Sequence, residues 1–170
     1  MLSSKSNELL ANTIWNFAFY THIILGGVAL FIGWLQFNSK LRIQNLSIHR
    51  TIGKIYVICV LPSSLAGIGI GFFATGGFVA ATGFICLGII WFTTTLIAYL
   101  KIISGHMEQH RRLMIYSYAA CFAAVTLRIW LPLLIMIFGD FIIAYSIAAW
   151  LCWIPNMLIA TLIAKRLINT

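Results

Sequence analysis

Four histidines and the arginines beside them are the side chains of this 170-residue chain best suited to holding a metal, a haem or an anion. Two histidines stand directly before an arginine. They are His49-Arg50 in IHRTIGKIY, residues 48 to 56, and His110-Arg111 in QHRRLMIYSYA, residues 109 to 119. A bis-imidazole haem b needs two histidines at similar depth on facing helices. His49 and His110 meet that condition if each begins a helix running the same way, with Arg50 and Arg111 placed to pair with the propionates. The same pair would equally suit a quinone. His106 and His110 are four residues apart and share a helical face, so with His49 they would give three imidazoles around an open zinc or iron position. HMEQH is not the HExxH signature, because Glu108 occupies its third place. His22 and Arg128 are the ionisable residues set deepest in apolar sequence, which makes each a candidate site residue. His22 lies roughly 12 Å in from one surface and Arg128 roughly 8 Å from the same surface, at 1.5 Å per residue. The two are therefore expected to line one polar cavity. The three carboxylates, Glu8, Glu108 and Asp140, all lie outside the deep apolar sequence, and there is no GxSxG. That composition argues against hydrolysis and against a transporter built on a buried acid.

The elements that position these residues follow from composition. Hydrophobic residues make up 62% of the chain, charged residues 8%, and mean hydropathy is +1.00, far from the quarter or so of charged residues in soluble domains. Apolar blocks cover about 14–37, 55–74, 78–100, 113–138 and 141–164, each near the roughly 20 residues that cross a bilayer. None alternates as a barrel strand does. The expectation is an all-α, polytopic integral membrane protein, one bundle of five transmembrane helices over residues 1–170. The first block is longer than a signal-peptide core and holds Trp15, Asn16 and His22, so it reads as a retained helix.

Charge gives the orientation. Lys40, Arg42, Arg50 and Lys54 lie between blocks 1 and 2, Lys101, Arg111 and Arg112 between blocks 3 and 4, and Lys165 and Arg166 after block 5. Five spans put all of these on one side, while Lys5 and Glu8 cancel on the other, so the positive-inside rule predicts N-out and C-in. The formal net charge of +8 needs no nucleic acid to explain it. The arginines serve topology and phosphate contact, but histidine, largely neutral at pH 7, is a poor topogenic charge. Cys59, Cys86, Cys121 and Cys152 all sit in apolar blocks without CxxC spacing and read as small buried hydrophobes. Glycines concentrate in the first three blocks, where they predict close helix packing. Pro62, Pro132 and Pro155 predict bends, with Pro155-Asn156 the place for a cavity.

Three patterns together are quite specific: His22-x3-Gly26-x2-Ala29-Leu30-x2-Gly33-x2-Gln36-Phe37, then His49-Arg50-x2-Gly53-Lys54-Ile55-Tyr56, then His110-Arg111-Arg112-Leu113-Met114-x2-Ser117-Tyr118-Ala119 followed by Thr126-Leu127-Arg128. In these the chain resembles a bacterial family of predicted membrane proteins of unknown function, over roughly residues 20 to 130. The resemblance implies His22, His49, Arg50, His110, Arg111 and Arg128 as signature positions, excludes His106 from them, and implies a multi-pass protein of the bacterial inner (cytoplasmic) membrane. Two function classes follow. One is binding of a haem or quinone-type redox cofactor through His49 and His110. The other is non-enzymatic: His-Arg clusters that grip anionic lipid headgroups or a membrane subunit partner, or a small transporter component.

Overall fold

The computed structural model describes residues 7–166, so Lys5 lies outside the described residues. Among these the regular elements are helices: α1 (Asn7–Ala11), α2 (Thr13–Gly33), α3 (Ser39–Gln44), α4 (Leu46–Gly71), α5 (Gly77–Ile103), α6 (Met107–Cys121), α7 (Ala123–Phe138), α8 (Phe141–Leu151) and α9 (Ile154–Arg166), with a 3₁₀ turn at Trp34–Phe37. They form five stretches long and apolar enough to span a membrane, Thr13–Phe37, Leu46–Gly71, Gly77–Ile103, Met107–Phe138 and Phe141–Arg166.

Local chemistry sets the ends. Asn12 caps α2 by accepting from the Ile14 and Trp15 amides at 2.9 and 3.0 Å, and Asp140 caps α8 by accepting from Ile143 N at 2.8 Å. One of the three carboxylates is thus a helix cap. The tight turns between spans 3 and 4 and between spans 4 and 5 each contain a left-handed glycine, Gly105 at φ +81° and Gly139 at φ +66°.

Two boundaries differ from the hydropathy blocks. The second span begins at Leu46 and the fourth at Met107, so both His-Arg pairs lie within the first turns of α4 and α6. Charged residues end an apolar block, yet the helix itself continues into the headgroup layer, where polar side chains are solvated. Pro62 and Pro132 lie inside α4 and α7. Pro155 instead stands in the first turn of α9, just after a break at Cys152-Trp153, where its missing N–H costs nothing.

The helices pack as a ring, α2 along α4, α4 along α5, α5 along α6, and α6 back against α2. The main core lies inside it, built from Ala29, Tyr56, Val60, Trp91, Met114 and Cys121. In its most apolar window the second span is 39% buried and the first 11%, so α4 is central and α2 presents most of its surface to lipid. The pair α7–α8 stands to one side, with α8 against α5 and α9 against α6. Breaks at Phe122 in span 4 and at Cys152-Trp153 in span 5 are stitched together. Asn156 Nδ2 shares its two protons among the oxygens of Ala119, Thr126 and Cys152, at 3.3, 3.2 and 3.0 Å, and the Thr126 hydroxyl donates to the Cys152 carbonyl. Beside this stitch an apolar groove of about 360 Å³ opens between Val79, Trp150 and Pro155, close to the place where the Pro155-Asn156 pair predicts a cavity.

Candidate functional site

The candidate residues on α4 recur every seven positions. His49, Tyr56 and Ser63 therefore share one face, two turns apart, over roughly 21 Å of helix. Each meets polar groups from neighbouring spans, so a polar column runs from the basic end of the bundle to mid-membrane.

At the basic end, His110 Nδ1 lies 2.8 Å from the Ala98 carbonyl. A carbonyl only accepts, so Nδ1 carries a proton, and in the neutral imidazole Nε2 is the nitrogen with the lone pair. His49 is half-buried, its Nδ1 is enclosed with no hydrogen-bond partner among the described residues, and it lies within electrostatic reach of His110, Arg42 and Arg50. Arg50 and Arg111 are exposed beside their histidines. Gln36 Nε2 donates to the His49 carbonyl at 3.3 Å, and a Cβ at Gly53 would stand 3.1 Å from Gln36 Oε1. Gly53 is what lets the amide lie against α4.

Two turns deeper, Tyr56, Thr95 and Ser117 are fully buried, each 0% exposed. Thr95 Oγ1 donates to Trp91 O at 2.7 Å and so accepts from Ser117 Oγ at 2.6 Å; Ser117 in turn accepts from the Tyr56 hydroxyl at 2.8 Å. All protons in this chain point one way and end on a backbone carbonyl. The Trp91 Nε1–H lies beside the Tyr56 hydroxyl, short of hydrogen-bond geometry, and is enclosed without a partner among the described residues.

At the third level His22 Nδ1 donates to the Ser63 carbonyl at 2.9 Å, and Ser63 Oγ returns a bond to the His22 carbonyl at 2.9 Å. Gly67 admits the ring, since a Cβ there would stand 2.9 Å from Nδ1. Arg128 is elsewhere. It is exposed on α7, with Nη1 donating to Ala124 O of its own helix at 2.6 Å, and α7 packs mainly on α8. The structure thus gives His22 and Arg128 different neighbours, because the break at Phe122 and the α7–α8 pairing carry span 4 away from α2.

The three-imidazole site is not formed. His106 is exposed, and its Nδ1 is engaged with Ser104 Oγ at 3.1 Å; among the described residues no group of three or more His, Cys, Asp or Glu side chains gathers as a metal would need. His106 stands just before α6 with a non-helical backbone and turns its ring back to Ser104, so the helical conformation that the i, i+4 spacing assumes does not hold there.

The helix 1 pattern acquires a physical meaning. His22, Gly26, Ala29, Gly33 and Gln36, spaced 4, 3, 4 and 3, form one stripe against the column. A Cβ on Gly26 would stand 3.0 Å from Ser63 Oγ, Ala29 is fully buried, and a Cβ on Gly33 would lie 2.6 Å from the Tyr118 ring and 2.9 Å from the Tyr56 ring. Sequence reasoning missed Ser63, Trp91 and Thr95 as column members; the seven-residue spacing His49, Tyr56, Ser63 was the available signal.

Residues 19–164 match the family of predicted membrane proteins DUF2306. The chain belongs to this family. No curated protein and no solved structure matches it. As a member of DUF2306 it is an integral membrane protein, and the family description assigns no activity, so chemistry has to be argued from the column.

Proposed function

We propose that this DUF2306 protein binds a flat redox cofactor between His49 and His110 at the basic end of its bundle. Haem b is the form the histidines favour. The observation that carries this is the paired state of the imidazoles. His110 has Nδ1 tied to a backbone carbonyl, which fixes the ring and would leave Nε2 of the neutral imidazole to hold the iron. His49, within electrostatic reach of it on another helix, has an enclosed nitrogen in want of a partner. Arg50 and Arg111, exposed at the rim, are available to a cofactor's carboxylates. When bound, the haem would supply one-electron chemistry. The chain's own residues would hold and orient it, and Tyr56, Ser117 and Thr95 would close the floor beneath it. By the positive-inside rule this end faces the cytoplasm, with the N-terminus out, the C-terminus in and the whole chain as one bundle in a bacterial inner membrane.

The test is the visible spectrum of protein purified from cells supplied with haem. A Soret band is expected in wild type, lost in His49→Ala and His110→Ala and kept in His106→Ala. Wild-type protein without the band, and without quinone in its organic extract, would end the proposal. The exposure of Arg50 and Arg111 supports a second reading, in which the His-Arg pairs grip anionic headgroups or a partner subunit. Under it, the same alanine variants alter lipid retention or complex formation in protein that never shows a spectrum.

A further inference from the structure

A separate feature lies on the outer side of α6, where it meets α9. Gln109, Arg112, Leu113 and Tyr116 line a pocket of about 190 Å³. Tyr116 donates to Thr161 Oγ1 at 3.4 Å, which fixes the register of the two helices. They run in opposite directions, so one turn from Tyr116 towards the basic end is Arg112, and one turn from Thr161 towards the same end is Lys165. Side chains four apart share a face, so the register places Lys165 on the Arg112 side of the junction, beside a pocket whose lining residues all belong to α6. Arg112 is half-buried and Lys165 exposed.

Among the described residues no carboxylate side chain balances this pair. Asp140 caps α8, Glu8 belongs to α1, and Glu108, though one turn before Arg112, is exposed and forms no ion pair with it among the described residues. A half-buried guanidinium at a membrane boundary, flanked by a second cation and an amide, has the donor set of a phosphate site, and the Tyr116 hydroxyl, whose proton goes to Thr161, only walls it. Leu113 adds an apolar wall on the side leading into the bilayer.

We propose that this pocket binds the phosphate of an anionic phospholipid, with Arg112 and Lys165 as its cationic ligands and Gln109 and Tyr116 as polar walls. The inference is independent of the cofactor between His49 and His110. Its readout is phosphatidylglycerol adducts on the full chain, counted by native mass spectrometry as the lipid is titrated in a neutral detergent. Binding should weaken several-fold in Arg112→Gln or Lys165→Gln and roughly 30-fold in the double variant, taking the usual contribution of a basic residue near an anionic surface. Lys40→Gln, which removes one charge from α3, should leave adducts unchanged. Size-exclusion profiles and detergent melting curves show that the variants are folded. Equal adducts on wild type and the double variant, or equal loss with Lys40→Gln, would overturn the site. Competition by millimolar inorganic phosphate would confirm the phosphate chemistry and assign a soluble anion in place of a headgroup; failure to compete assigns the lipid.

Discussion

Donor counting at the Tyr56–Ser117–Thr95 chain makes a prediction that proximity alone does not. Ser117 both accepts from Tyr56 and donates to Thr95, whereas Tyr56 stands at the donor end. Ser117→Ala leaves a fully buried phenolic O–H with no acceptor, a desolvation cost of about 1–3 kcal/mol. Tyr56→Phe removes the first donor but leaves Ser117 and Thr95 with their own protons placed, so its cost should be near the roughly 0.6 kcal/mol average for interhelical bonds in membranes. Unfolding titrations in mixed detergent micelles measure both. Equal costs, or the reverse order, would mean that the protons run the other way. At this scale the sequence was half legible. His22, His49 and Tyr56 announce themselves because ionisable and aromatic groups are rare in apolar sequence. Ser63, Thr95 and Ser117 do not, since a hydroxyl in a membrane helix can satisfy itself on the carbonyl four residues back, as Thr93 and Thr94 do on Ile89 and Ile90.

Among the elements, α2 shows how a lipid-facing helix is held by one stripe. Gly26, Ala29 and Gly33 let it approach α4, and the packing is directional. Gly33→Ala would drive a methyl against the Tyr56 and Tyr118 rings, at 2.9 and 2.6 Å, whereas a Cβ on Gly27 meets nothing within 4 Å. Gly33→Ala should therefore lower the midpoint of detergent unfolding, by an amount of about 1–3 kcal/mol typical of overpacking, while Gly27→Ala stays neutral or stabilises slightly through helix propensity. A Gly33→Ala protein as stable as wild type would show that the two tyrosines can move aside. The existence of each span was readable from hydropathy, and the stripe from its 4-3-4-3 spacing. The break at Cys152-Trp153 falls in the turn before Pro155, where that proline predicts a bend, but the one at Phe122 was not legible, because the proline of span 4 is Pro132, and Asn156 reaches across the helix pair to the freed Ala119 carbonyl.

For the molecule as a whole, the bilayer made five spans legible, since length and apolarity are imposed by the solvent. Which spans touch was legible only in part. Beyond the close packing of the first three spans, which their glycines predict and α2, α4 and α5 show, lipid offers no apolar contrast between a buried and an exposed face, so the place of α6 in the ring and of α7 and α8 to the side had no signature in the sequence. Direction is a different matter, because it depends on charges whose placement the turns preserve. The ends of α3, α5 and α9 carry Arg42, Lys101, and Lys165 with Arg166, and the starts of α4 and α6 carry Arg50 and Arg111. All five spans agree on one basic end, so no loop pulls against another and a single orientation is expected. A phosphatase fused after Thr170 should be inactive and a fluorescent protein at the same place bright, as both require for a cytoplasmic C-terminus. An active phosphatase there would invert the molecule and move the histidine pair and the Arg112 pocket to the outer face. Equal activity of both reporters would mean that the chain inserts both ways, an outcome the one-sided charge makes unfavourable by about 1 kcal/mol for each basic residue placed on the wrong side of an anionic leaflet.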